Sequence, residues 1–195
     1  EKLRRLAELR EKAIMDEKAI RRAGYKRGME AGEKNQKIEI ANSNKKVAIF
    51  VDMDGTIAVY NVYPEDKVVE KMGKEYNLLE PIDYVLNILK EINQINNAYI
   101  YILSLSKSAK ITEEKKLWLK KYVNFIDEKN WILIRKELGE YNKENRDFAK
   151  AQKMKEKLNE YDHLILIDDD HKVLKETQKM LGEKVDVFHI SGILI

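Results

Sequence analysis

The run Asp52-Met53-Asp54-Gly55-Thr56 places two carboxylates two positions apart, directly after the apolar stretch Val47 to Val51. Carboxylates so spaced can attack an electrophile and carry a proton. Asp52, extended from a strand, presents its oxygen, and Asp54 faces the same side. Gly55 permits the tight turn that brings backbone close to a ligand, and the Thr56 hydroxyl can donate to the carboxylates. A match of this kind arises by chance in on the order of one chain in a thousand of this length. The plainer reading is an Asp-Gly turn that closes a strand. A second acidic run, Asp168-Asp169-Asp170, follows the apolar stretch Leu164 to Ile167. Two carboxylates beside an anionic electrophile such as a phosphate need a cation. A hard, oxygen-rich site suits Mg2+. Asp168 is the metal-side candidate, and Asp170 is expected to cap a helix beginning near Lys172.

Elements that can hold these groups are legible from hydrophobic patterning. Val47 to Val51, Tyr99 to Leu103, Trp131 to Ile134 and Leu164 to Ile167 are unbroken apolar runs, as strands covered on both faces require. Val185 to Phe188 is interrupted by Asp186 and reads as an edge strand. Between them lie Ile82 to Ile95, Thr112 to Tyr122, Asn145 to Tyr161 and Lys172 to Leu181, each long enough for a crossover helix. The alternation predicts an α/β fold, a Rossmann-like open parallel sheet with helices on both faces. In such sheets ligands bind at the carboxyl ends of the strands. Asp52, Ser104, Arg135 and Asp168 each follow a strand and are expected to converge on one rim.

Composition bounds what surrounds this core. The 195 residues include 37 Lys+Arg and 34 Asp+Glu, a net of +3, and 36% are charged against about 25% in an average soluble domain. With 44% hydrophobic residues the length suits one domain plus an extension. Cysteine is absent, which excludes disulfides, zinc-thiolate sites and thiol nucleophiles and fits a reducing compartment. No run approaches the roughly 18 apolar residues of a membrane span, and no signal-peptide core follows the charged start. The expectation is a cytoplasmic chain without a membrane partner. It begins at Glu1 rather than Met, which fits a fragment or a processed start.

The charge is unevenly shared. Residues 1–46 carry 14 Lys+Arg and 8 Asp+Glu, a net of +6, so the remainder carries −3. Leu3, Leu6, Ala13, Ile14 and Ile20 follow a helical period, whereas Gly24, Gly28 and Gly32 each cost an exposed helix about 1 kcal/mol relative to Ala. Asn42-Ser43-Asn44 reads as a linker. This divides the chain into a basic helical extension with its linker, residues 1–44, and an α/β domain, residues 45–195. Acidic residues interleaved with the basic ones, without accompanying aromatics, argue for a solvated helix face rather than a nucleic-acid partner.

In order and setting, Asp52 to Thr56, Ser104, Lys115 and Asp168-Asp169 resemble the four motifs of the haloacid dehalogenase-like phosphohydrolases. More narrowly, V-D-M-D-G-T, E-K-K-L-W-L and L-I-D-D resemble the 5'(3')-deoxyribonucleotidase group, 5'-nucleotidases of type C. The resemblance covers about Lys46 to Leu181. It implies a phosphatase in which Asp52 attacks phosphorus to form an aspartyl-phosphate. Asp54 would protonate the leaving oxygen and then deprotonate water, with its backbone carbonyl reaching Mg2+. Asp52 and Asp168 would ligate the ion, with Asp169 on it or one layer out. Gly55, Thr56, Ser104, Lys115 and Arg135 would hold the substrate phosphate. Ser106 competes with Ser104, and Lys116 with Lys115. Arg135 stands equally well as a surface ion pair. The stretch from Leu3 to Ile20 with its glycine-punctuated tail resembles the C-terminal end of PD-(D/E)XK nuclease-family transposase proteins, without a nuclease core.

Residues 57–80, between the first motif and the first crossover helix, are too few for a large cap and leave room for a minimal one. A small helical flap is expected over Pro64 to Tyr76. Its Tyr60, Tyr63 and Tyr76 could stack on a nucleobase or simply pack the flap on the sheet. The resemblance favours a nucleoside monophosphate as substrate. Other small phosphate esters, or a weakly catalytic module that binds a phosphorylated ligand, keep the same residues. His163, His171 and His189 share no ligand spacing and are not expected to hold a metal.

Overall fold

The computed structural model describes residues 45–60 and 76–193. The N-terminal extension, its linker up to Asn44 and most of the expected flap, including Tyr63, lie outside the described residues. Five parallel strands form one sheet: β1 (Val47–Val51), β2 (Ala98–Ser106), β3 (Trp131–Arg135), β4 (His163–Asp168) and β5 (Val185–His189). Their spatial order is β3-β2-β1-β4-β5. The crossovers are α1 (Asp83–Ile92), α2 (Ala109–Tyr122), α3 (Arg146–Lys155) and α4 (His171–Leu181), and a short α5 (Ile190–Ile193) follows β5.

β1 has no solvent-facing side because alternate residues point to opposite faces and both faces are covered. Val47, Ile49 and Val51 pack with Val85, Leu86 and Leu89 of α1 and Trp118 and Leu119 of α2. Ala48 and Phe50 pack with Ala149 and Met154 of α3 and Val173, Leu174 and Leu181 of α4. Each fully buried Val, Ile or Phe contributes about 1.5–3 kcal/mol. The expected α/β architecture with helices on both faces is therefore the observed one.

Details differ from the pattern reading. β2 runs on to Ser106, so Ser104 lies within a strand rather than after it. α3 stops at Lys155 rather than reaching Tyr161, and turns carry the chain to β4. β5 is an edge strand as expected, but so is β3, whose run of apolar residues is mostly half-buried. An apolar run does not by itself tell a central strand from one end of the sheet. Among the described residues, no helix is long and apolar enough to cross a membrane.

The strand order reverses between β1 and β4, where a doubly wound sheet opens a crevice at the carboxyl ends. In register, Val51 stands beside Ile167, and the Asp52 amide donates to the Ile167 carbonyl at 2.9 Å. Asp52 and Asp168 are thereby fixed side by side by backbone hydrogen bonds, before any side chain contributes.

Candidate active site

Asp52 and Asp168 are 5% and 0% exposed, and neither is left uncompensated. Lys150, on the inward face of α3 and 3% exposed, reaches Asp52 Oδ1 at 2.7 Å and Asp168 Oδ2 at 2.6 Å. Burial alone would lower the lysine's pKa, but the two carboxylates outweigh it and raise the value above the ordinary lysine range. Burial pushes Asp168 up to about 6, with Lys150 opposing the shift and Asp52 adding to it. The Asp170 amide also donates to Asp168 Oδ1 at 2.9 Å.

Asp54 is held by different partners. Lys115, 1% exposed on the inward face of α2, donates to Asp54 Oδ2 at 2.7 Å, to Ser104 Oγ at 2.9 Å and to the Leu105 carbonyl at 2.9 Å. The Tyr76 hydroxyl donates to Asp54 Oδ1. The structure thus distinguishes the competing residues by placement. Ser104 and Lys115 join the aspartates. Ser106 bonds Thr112 Oγ1 at 2.7 Å near the start of α2, and Lys116 pairs with Glu113 on the surface.

The turn after β1 explains Gly55. Its φ of 76° lies in the left-handed region, and a Cβ there would come within 2.2 Å of Asp169 Oδ2. The Asp169 carboxylate rests directly on the glycine. Its pKa is pushed up to about 6, first by burial and then by the charge of Asp52. Oxygens of Asp52, Asp168 and Asp169 lie within 4.8 Å of one another. An all-oxygen set of this size suits Mg2+, so the residues present fit the ion. The Asp54 side chain stands outside that trio.

Two expectations are corrected, and one open choice is decided. The Thr56 hydroxyl is buried and has no hydrogen-bond partner among the described residues, so it does not donate to the carboxylates. Arg135 is not brought to the aspartates. Its guanidinium pairs with Glu137 at 2.9 Å, because a short 3-10 turn at Lys136–Leu138 carries that carboxylate back toward it. Tyr76 is 2% exposed and spends its hydroxyl on Asp54, so it offers no face to a base. Asp170 caps α4 as expected, accepting from the Lys172 amide at 2.9 Å, and also takes Arg146 at 2.8 Å. His189 reaches the Asp169 carbonyl and Ser191, with its ring stacked on His171.

Lys150 was missed by motif reasoning because it lies in mid-helix, among Lys153, Lys155 and Lys157. The signal that could have found it is its phase: it stands four residues before Met154, on the face that α3 buries. A lysine in a core position demands a buried anion.

No protein-family model matches the sequence, and no curated protein does. Solved structures do. The class C acid phosphatase from Bacillus anthracis, determined with tungstate bound, is 17% identical with a TM-score of 0.52, over 88% of this chain and 78% of that one. The HAD domain of effector protein Lem4 from Legionella pneumophila is 19% identical with a TM-score of 0.47, over 74% of this chain and 86% of that one. An inactive mutant of that domain gives 15% and 0.45. The likeness to the acid phosphatase shows a shared fold.

Proposed function

We propose that this chain is a Mg2+-dependent phosphomonoester hydrolase that works through an aspartyl-phosphate on Asp52. The observation that carries the reading is the division of the carboxylates. Asp52 shares Lys150 with Asp168 at the mouth of the β1–β4 crevice, while Asp54 sits apart on Lys115. One carboxylate is thus placed to attack and the other to move a proton.

An Asp52 oxygen bonds to phosphorus as the ester P–O bond breaks, and the proton of Asp54 goes to the leaving oxygen. Water then attacks phosphorus and gives its proton to Asp54, and the bond from phosphorus to Asp52 breaks. Lys150 holds the Asp52 carboxylate in place, and Lys115 bridges Asp54 and the Ser104 hydroxyl oxygen. With Asp54 protonated for the first step, three carboxylates face two ammonium groups, a net of −1, which repels a phosphate dianion. When held by Asp52, Asp168, Asp169 and the Asp54 carbonyl, Mg2+ would supply the positive charge that offsets this repulsion.

Within that class, a (deoxy)nucleoside monophosphate is the substrate we favour, on the likeness of the motifs. Tyr60 supports it: this half-buried ring stands near the aspartates, and burial followed by the charge of Asp54 raises its hydroxyl pKa. Arg135 and Tyr76, turned to other partners, favour a second reading, a small phosphate ester without a base. A Mg2+-supplemented panel of thymidine 5'-monophosphate, glycerol phosphate, glucose 6-phosphate and p-nitrophenyl phosphate separates the two. Phosphate release that EDTA abolishes and Asp52→Asn removes in a folded protein is expected. Full activity in Asp52→Asn would refute the mechanism.

A further inference from the structure

Asp54 is gripped at both oxygens from two different elements. Lys115 of α2 holds Oδ2 at 2.7 Å, and the hydroxyl of Tyr76, at the start of the 3-10 turn Tyr76–Leu78, holds Oδ1. A carboxylate held at one oxygen can still rotate about its Cβ–Cγ bond. Held at both, it keeps one plane. Each oxygen retains a further lone pair for a third partner.

The grip from Tyr76 is itself built. Its amide donates to Glu114 Oε2 at 2.8 Å, and the Lys115 ammonium lies 5.1 Å from its ring centroid. The same turn is pinned a second time where Trp118 Nε1 donates to the Leu79 carbonyl at 2.8 Å. Lys115, for its part, has no donor to spare, since Asp54, Ser104 and the Leu105 carbonyl take all three. The lysine cannot follow a swinging Asp54 without breaking two other bonds, and among the described residues it is Tyr76 that fixes the free edge of the carboxylate.

We propose that Tyr76 is a positioning residue that orients Asp54 for proton transfer to the leaving oxygen. This rests on the phosphomonoesterase reading above. In that step the bond from Asp52 to phosphorus forms, the ester bond breaks, and the Asp54 proton passes to the departing oxygen. An alkyl leaving group needs that proton, whereas p-nitrophenolate leaves without it. A tyrosine that merely packed the turn would slow both alike.

Single-turnover cleavage by the full chain with Mg2+ tests the proposal, comparing the best alkyl phosphate of the panel with p-nitrophenyl phosphate. Tyr76→Phe keeps the ring on Lys115 and removes only the hydroxyl. We expect a fall of about 10-fold with the alkyl ester and under about 2-fold with the aryl ester, at unchanged KM. Glu114→Ala, which frees the backbone anchor, is expected to show the same asymmetry more weakly, and it decides the matter should Tyr76→Phe not fold. Equal slowing of both esters, or of neither, in a folded variant overturns this role alone. A wild-type chain with no Mg2+-dependent turnover of any ester overturns this role together with the phosphatase reading.

Discussion

Replacing Lys150 with Met removes the charge at the centre of the site while keeping most of its volume. At 2.7 and 2.6 Å, each contact with a carboxylate is worth about 6 kcal/mol by Coulomb's law at an effective dielectric of about 20. Desolvation of the three buried groups offsets most of that, and removing one partner of such a cluster costs about 3–5 kcal/mol because the others stay buried without it. The deficit must depend on pH. Burial pushes Asp168 up to about 6 in the folded chain, above the ordinary carboxylate range, so its contribution to stability falls as pH rises through 6. Lys150 opposes that shift, so its loss raises the value further. The variant is therefore expected to trail the wild type less at pH 5 than at pH 8, where the full amount shows. Urea denaturation in EDTA at both pH values measures this. Addition of Mg2+ is expected to return part of the loss, while turnover stays down by at least about 100-fold for want of a held nucleophile. A deficit under about 1 kcal/mol at pH 8, or one that does not widen between pH 5 and pH 8, would refute the reasoning.

Two further outcomes test the acidic cluster. Gly55→Ala forces a Cβ against Asp169 at a φ of 76° and is expected to cost about 1–2 kcal/mol of stability and about 10- to 100-fold in Mg2+ affinity by calorimetry; unchanged affinity would separate Asp169 from the metal. Asp168 and Asp169, both raised to about 6, must lose protons to hold a cation, so the rise in Tm on adding Mg2+ is expected to be large at pH 8 and to vanish near pH 5. A Tm shift independent of pH would contradict this.

What could be read from the sequence was what is local in it. β1 and its Asp52 to Thr56 turn are a short unbroken run followed by a motif, and both strand-end aspartate runs fell where patterning put them. The choice of Ser104 over Ser106 and of Lys115 over Lys116 required the register of β2 and the phase of α2, which neighbours in sequence do not fix. Lys150 required the packing of α3 on the face opposite α2, a tertiary fact with only a faint trace in helical phase. Arg135 stood at a strand end as expected, yet the turn behind it supplied Glu137 and settled its direction. From its place in the sequence, Tyr76 suits stacking on a base or packing of the flap. Its true partner, Asp54, is 22 residues away, and nothing in the spacing declares it.

The sheet order also bears on how the chain is made. β1 is the first described strand to emerge from a ribosome. Its partner on one side, β2, follows within the same stretch of synthesis, whereas β4 closes the other side only much later, as the 116-residue separation of the Lys46 to Asp162 hydrogen bond records. Until then β1 presents one edge of an apolar strand without its neighbour, the kind of edge that recruits other chains. A ribosome stalled before Asp162 would hold a sheet with that edge open and Lys150 already made for a carboxylate pair only half synthesised. Product truncated there is expected to collect in aggregates, and full-length protein to appear soluble only once β4 has been added.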